Sequence, residues 1–196
     1  MNVSPLALPG VILLEPRVHA DDRGYFLETW HAARYAANGI PTAFVQDNLS
    51  RSRRGVLRGL HYQLTQPQGK LVQVTRGRIF DVAVDVRQGS PTFGQWCGVE
   101  LCEETHRQLW IPAGMAHGFL VLSEVADVSY KCTSPYDHAS ERGVRWDDPA
   151  LGIAWPLAGA APRVSAKDAE LPPLAAQLDL PPYLTPHRRE TPCASS

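Results

Sequence analysis

Short apolar runs broken by turn residues dominate the chain. Residues 11–14 form one such run, and Asp21-Asp22-Arg23-Gly24 reads as a turn leading into a strand over 25–30. Further strands are predicted at 44–49, 56–63, 70–75 and 79–86, separated by Gly55, Gly69 and the Arg76-Gly77-Arg78 turn. The 79–86 run is the clearest, with Phe80, Val82, Val84 and Val86 on one face and Asp81 and Asp85 on the other. Four more strands are predicted at 95–101, 108–111, 118–122 and 127–133. The alanine-rich stretch 31–38, closed by Gly39, predicts a helix, and a shorter one is predicted around 174–178. Strands recurring at roughly 8–12 residues point to an all-β sandwich or barrel with a few short peripheral helices, not to βαβ units.

At 196 residues the chain has the size of one domain with a substantial core. We assign that domain to 1–184 and expect the polar, proline-containing stretch 185–196 to be a disordered tail. A net charge of −1 argues against broad nucleic-acid or anionic-membrane binding, so any basic residues that matter are local. Cys97, Cys102, Cys132 and Cys193 form no CxxC pair, no apolar run approaches a membrane span, and Pro5, Pro9 and Pro16 interrupt the first apolar segment. The chain therefore reads as cytoplasmic, with reduced thiols and no signal peptide.

The chemistry concentrates in Val56-Leu57-Arg58-Gly59-Leu60-His61-Tyr62-Gln63. A histidine inside an apolar strand is ordinarily a satisfied core residue, but here an arginine stands three residues away. Imidazole exchanges protons near neutral pH and guanidinium clamps phosphate oxygens. Residues an odd number apart face opposite sides of a regular strand. Arg58 and His61 can share a ligand only if the strand is irregular between them, and Gly59 permits a bulge there. A metal site is disfavoured, because His61 lacks an HxH partner, residues 64–69 carry no carboxylate and His117 alone cannot complete a ligand set.

Other candidates carry competing readings. His117 follows a proline-glycine turn, and Lys70 opens a strand, either as an exposed strand-end lysine or as an ammonium at the mouth of an apolar barrel that stabilises a developing oxyanion. Tyr130 reads either as packing or as a phenolic proton donor. Asp168, Asp81 or Asp85 could each hold the imidazole of His61 in one tautomer.

The blocks Leu57-Arg58-Gly59-Leu60-His61-Tyr62-Gln63, Gly69-Lys70-Leu71-Val72, Phe80-Asp81-Val82-Ala83-Val84-Asp85 and Ser90-Pro91-Thr92-Phe93-Gly94 resemble the dTDP-4-dehydrorhamnose 3,5-epimerase family. So do Ile111-Pro112-Ala113-Gly114-Met115-Ala116-His117-Gly118-Phe119, Tyr130-Lys131-Cys132-Thr133 and Ser165-Ala166-Lys167-Asp168, in the same order. The resemblance implies a cupin-like jelly-roll barrel, a homodimer, and no metal or other cofactor. It implies that His61, paired with Asp168, accepts a proton, that Tyr130 donates one from the opposite face, and that Lys70 sits by the sugar's C4 oxygen. Arg58 and His117 would contact sugar or diphosphate. Arg23, Glu28, Gln46, Asp47, Asn48, Glu141 and Lys167 would help bind the nucleotide sugar, and Tyr136 would stack on thymine, some of them reaching in from a partner subunit. The implied reaction inverts C3 and C5 of dTDP-4-dehydro-6-deoxy-D-glucose to give dTDP-4-dehydro-L-rhamnose, for cell-surface polysaccharide. The competing readings are inversion at one carbon only, a non-catalytic jelly-roll sugar-binding module and a metal-dependent oxygenase. The absence of a glycine-rich dinucleotide fingerprint fits chemistry without a redox cofactor.

Overall fold

The computed structural model describes residues 1–184. Its main elements are two antiparallel sheets lying face to face, the all-β architecture that the strand pattern predicts and the jelly roll that the resemblance implies. The first sheet runs β1 (Asn2–Pro5), β2 (Ile12–Glu15), β10 (Gln108–Ile111), β7 (Lys70–Arg76), β12 (Val125–Cys132) and β5 (Gln46–Arg53). The second runs β13 (Glu141–Gly143), β6 (Leu57–Gln63), β11 (Met115–Val121), β8 (Arg78–Asp85) and β9 (Trp96–Cys102). A separate hairpin, β3 (Val18–Asp21) with β4 (Gly24–Leu27), is mostly exposed. The tail expected at 185–196 lies outside the described residues.

Val72, Val74, Leu109 and Val128 of the first sheet meet Ile79, Ala83, Leu101, Met115 and Phe119 of the second in one core between the sheets. The second sheet is covered on its outer face too, where Phe80, Val82, Val84 and Leu120 pack beneath Val144, Leu151, Trp155 and Leu174. The outer face of the first sheet carries Leu14, Leu71 and Trp110 against Tyr35 of helix α1 (Ala32–Ala36) and Ile40. Burial on both faces explains why the central strands read as near-continuous apolar runs. The aspartates of β8 therefore point inward, and Asp81 and Asp85 are fully buried.

Asp85 shows how such a carboxylate is tolerated. Arg87 donates to both of its oxygens at 2.9 and 2.7 Å, and the Ser90 and Thr92 hydroxyls donate at 2.6 and 2.7 Å. Burial alone would raise its pKa, but these bonds prevail and hold it at about 2, below the ordinary 3.8. Its stabilisation, about 2 kcal/mol, is thus complete above the unfolded value and lost as pH falls from near 4 toward 2. Asp85→Asn is expected to flatten acid unfolding in that window and to lower stability at pH 7 by a similar amount, as denaturant titrations would show.

Several elements differ from the sequence expectation. β3 was not predicted because all four of its residues are exposed and leave no alternating signal. β1 and β13 are short edge pieces, and helix α2 (Ala166–Ala169) is a single turn capped by Ser165, whose hydroxyl accepts from the Asp168 N–H at 3.0 Å. The strand expected at 44–49 begins at Gln46 and runs to Arg53, and that expected at 118–122 begins at Met115. The helix expected at 174–178 is one 3-10 turn, Leu174–Ala176.

Candidate active site

The bulge predicted at Gly59 is present. His61 pairs with His117 and Arg58 with Phe119, so two residues of β6 oppose the single Gly118 of β11. The backbones nearly touch, since a Cβ built on Gly59 would lie 2.5 Å from the His117 carbonyl oxygen. The extra residue turns Arg58 and His61 into one cavity of about 510 Å³, also lined by Lys70, His117, Phe119, Tyr130, Lys167 and Asp168. A neighbouring cavity of about 210 Å³ shares His61, Lys70 and Tyr130 and adds Gln46, Asn48, Tyr136 and Glu141. β6 and β11 of one sheet supply the histidines, and β7 and β12 of the other supply Lys70 and Tyr130. The imidazoles and the phenol thus belong to facing sheets.

Asp168 is the carboxylate that reaches His61, with Oδ1 2.7 Å from Nε2. The capped turn of α2 aims it, and the Gly59 N–H donates to its second oxygen at 3.3 Å. Burial acts to raise the Asp168 pKa, but the His61 contact together with the Gly59 and Ser165 hydrogen bonds outweighs it and holds the carboxyl below its ordinary value. With Nε2 turned to Asp168, Nδ1 is the nitrogen left to act on a ligand. Asp81 and Asp85, the other carboxylates considered for this task, are engaged elsewhere: Asp81 Oδ1 lies 2.6 Å from His117 Nε2, and Asp85 is held by Arg87.

Lys70 lines both cavities, and burial lowers its pKa against the opposing pull of Cys132, Asp81 and Glu141. Burial likewise raises the Tyr130 phenol and keeps its proton on. Arg58 is steadied by Ser52, whose hydroxyl accepts from Nε at 3.0 Å. At the outer rim, Glu141 accepts from the Tyr136 hydroxyl at 2.6 Å and from Lys167. Gln46 donates to Asn48 at 2.9 Å and accepts from the Tyr136 N–H at 2.7 Å.

Three predicted residues do not join this cluster. Strand alternation turns Asp47 to the other face of β5, where it pairs with Lys131. Arg23, 85% exposed, pairs with Asp21 on the β3–β4 hairpin, and Glu28 pairs with Arg34. The sequence reading missed Ser50 and Arg163, which line the larger cavity. Arg163 arrives through a parallel bridge to Val56 that no local pattern announces. Among the described residues, no three His, Cys, Asp or Glu side chains converge as a metal-binding group, and no helix is long and apolar enough to cross a membrane.

Residues 5–176 match the family described as dTDP-4-dehydrorhamnose 3,5-epimerase. The chain belongs to this family, whose members are isomerases. The Pseudomonas aeruginosa dTDP-4-dehydrorhamnose 3,5-epimerase is 58% identical over 169 residues, 86% of this chain and 93% of its own length. A dTDP-4-dehydrorhamnose 3-epimerase from Streptomyces niveus is 42% identical over 190 residues, 94% of this chain and 91% of its own. Among solved structures, a Legionella pneumophila dTDP-6-deoxy-D-glucose-3,5-epimerase in complex with dTDP-4-keto-L-rhamnose superposes with a TM-score of 0.90 at 51% identity. That alignment covers 93% of this chain and 98% of the Legionella chain.

Proposed function

We propose that this member of the epimerase family inverts both C3 and C5 of dTDP-4-dehydro-6-deoxy-D-glucose, giving dTDP-4-dehydro-L-rhamnose. The observation that carries the reading is the His61–Asp168 pair at 2.7 Å, opening on a cavity that Tyr130 and Lys70 enter from the opposite sheet. Hydrogens at C3 and C5 both flank the C4 ketone, so removal of either leaves an enolate. His61 Nδ1 takes the hydrogen, the Lys70 ammonium faces the oxygen where negative charge develops, and Tyr130 returns a proton to the other face of the carbon. Asp168 holds the imidazole in the required tautomer and stabilises the imidazolium. Arg58, His117 and Lys167 bind sugar and diphosphate, and the smaller cavity around Gln46, Asn48, Tyr136 and Glu141 takes the nucleoside, with Tyr136 against thymine.

The protein acts as a cytoplasmic homodimer. Arg23 and Glu28 stand away from the cavity in a single chain, while the hairpin beside them exposes Tyr25 and Phe26. A second copy that received the hairpin would bury these rings and gain Arg23 and Glu28 for its nucleotide.

Incubation with the 4-keto nucleotide sugar in deuterated water tests the reading. Deuterium at both C3 and C5, followed by NMR, is the expected result. Exchange at one carbon assigns a single-carbon epimerase, and exchange at neither overturns the enzymatic reading. Tyr130→Phe is expected to keep exchange within a few-fold while product formation falls about a hundredfold, because hydrogen removal needs only His61 and inversion needs the phenol.

A further inference from the structure

His61 and His117 are direct partners across β6 and β11, and each turns Nε2 to a carboxylate. The molecule therefore contains two histidine–aspartate pairs side by side, and the proposed proton transfers use only one. The second is the drier: the His117 side chain is 6% exposed and Asp81 is fully buried. Asp81 is also under-satisfied, since Oδ1 meets His117 and Oδ2 has no hydrogen-bond partner among the described residues. A fully buried carboxylate with a bare oxygen costs stability. Such a group calls for a reason outside stability.

We infer that Asp81 is a positioning residue that locks His117 with Nε2 protonated, so that Nδ1 faces the cavity as an acceptor for a hydroxyl of the sugar ring. The donor inventory of the cavity supports this. Arg58, Lys70 and Lys167 only donate, which suits a ketone oxygen and phosphate oxygens. Ring hydroxyls also carry hydrogens that need an acceptor, and His117 Nδ1 has no protein partner among the described residues. A buried acceptor of this kind discriminates strongly, because a wrongly oriented ring leaves it unpaired. The ketone's two flanks differ: the C3 side carries hydroxyls and the C5 side a methyl group. His117 thus recognises the C3 side and fixes which way round the ring enters.

The inference rests on the epimerase reading, and a double-mutant cycle with Asp81→Asn, His117→Gln and the double variant tests it separately. Asp81→Asn is expected to lower kcat/KM for the 4-keto nucleotide sugar by roughly ten- to a hundredfold, the cost of leaving a buried polar group of the complex unpaired. The 15N NMR shifts of His117 should move away from a protonated Nε2. In the His117→Gln background the same change should cost much less, with only the weaker attraction between Asp81 and Lys70 left to lose. Full activity of Asp81→Asn, equal losses in both backgrounds, or a fall in Tm that accounts for the lost activity would each overturn the role assigned to Asp81. A wild-type protein that exchanges deuterium at neither carbon would instead overturn the epimerase reading on which it rests.

Discussion

His61→Asn is expected to lower kcat by about a thousandfold and to abolish deuterium exchange at both C3 and C5, at nearly unchanged stability. The size follows from the role, since a positioned general base contributes roughly 10²–10⁴-fold and no other group in the cavity replaces it. Asp168 already holds its proton-accepting capacity in the contact with Nε2, and its carboxyl is kept below the ordinary range. His117 is turned to Asp81 and belongs to a drier corner. The small effect on stability also has a structural basis. The His61 side chain is 29% exposed, so little apolar burial is lost, and the Asn amide can still donate toward Asp168 Oδ1. Loss of exchange at both carbons is the decisive feature. One imidazole serving two carbons predicts that both signals vanish together, whereas separate bases would leave one of them. Survival of C3 or C5 exchange in His61→Asn, read by NMR against wild type with matched thermal melts, would sink the single-base assignment.

The bulge at Gly59 was legible because simple geometry demanded it. Arg58 and His61 stand an odd number apart, so a shared ligand required an irregular strand, and glycine marked where. The central strands were legible for a different reason: β8 is covered on both faces, and its alternating valines and aspartates leave a strong pattern. The pairing of aspartates with histidines was not. Asp168 lies 107 residues from His61 and Asp81 lies 36 from His117, and nothing local distinguishes these partnerships from their exchange. The resemblance supplied the first and left the second open. The β3–β4 hairpin was half-legible, since its turn residues announced a reversal while its exposed first strand had no buried face to set a period. Arg23 and Glu28 show the remaining limit, because one chain's sequence and fold give no route by which they reach its own cavity.

Lys70→Met should separate catalysis from stability in a way that few other positions can. Lys70 enters the cavity from the first position of β7, beside Cys132 of β12 in register, and among the described residues its ammonium has no hydrogen-bonded carboxylate. Burial lowers its pKa from the usual 10.5, and the carboxylates of Asp81 and Glu141 only partly offset this. The unfolded chain therefore binds that proton more tightly than the folded one. By linkage the folded state gains stability as pH rises through the lowered pKa toward 10.5, and Met, which is uncharged and of similar length, removes both the penalty and the pH dependence. Catalysis has the opposite requirement. The enolate oxygen needs a cation fixed in a dry site before the charge appears, and loss of one such group costs about 10²–10³ in kcat. The working form is the ammonium, so wild-type activity should fall on the alkaline side below the pH expected of an exposed lysine. Lys70→Met is thus expected to melt at an equal or higher temperature at pH 7, to lose about two to three orders of magnitude in kcat, and to lack that alkaline decline. A variant that kept wild-type kcat would show that the charge on C4 oxygen is met by another group, drawn from the other cations lining the cavity, Arg58, Arg163 and Lys167.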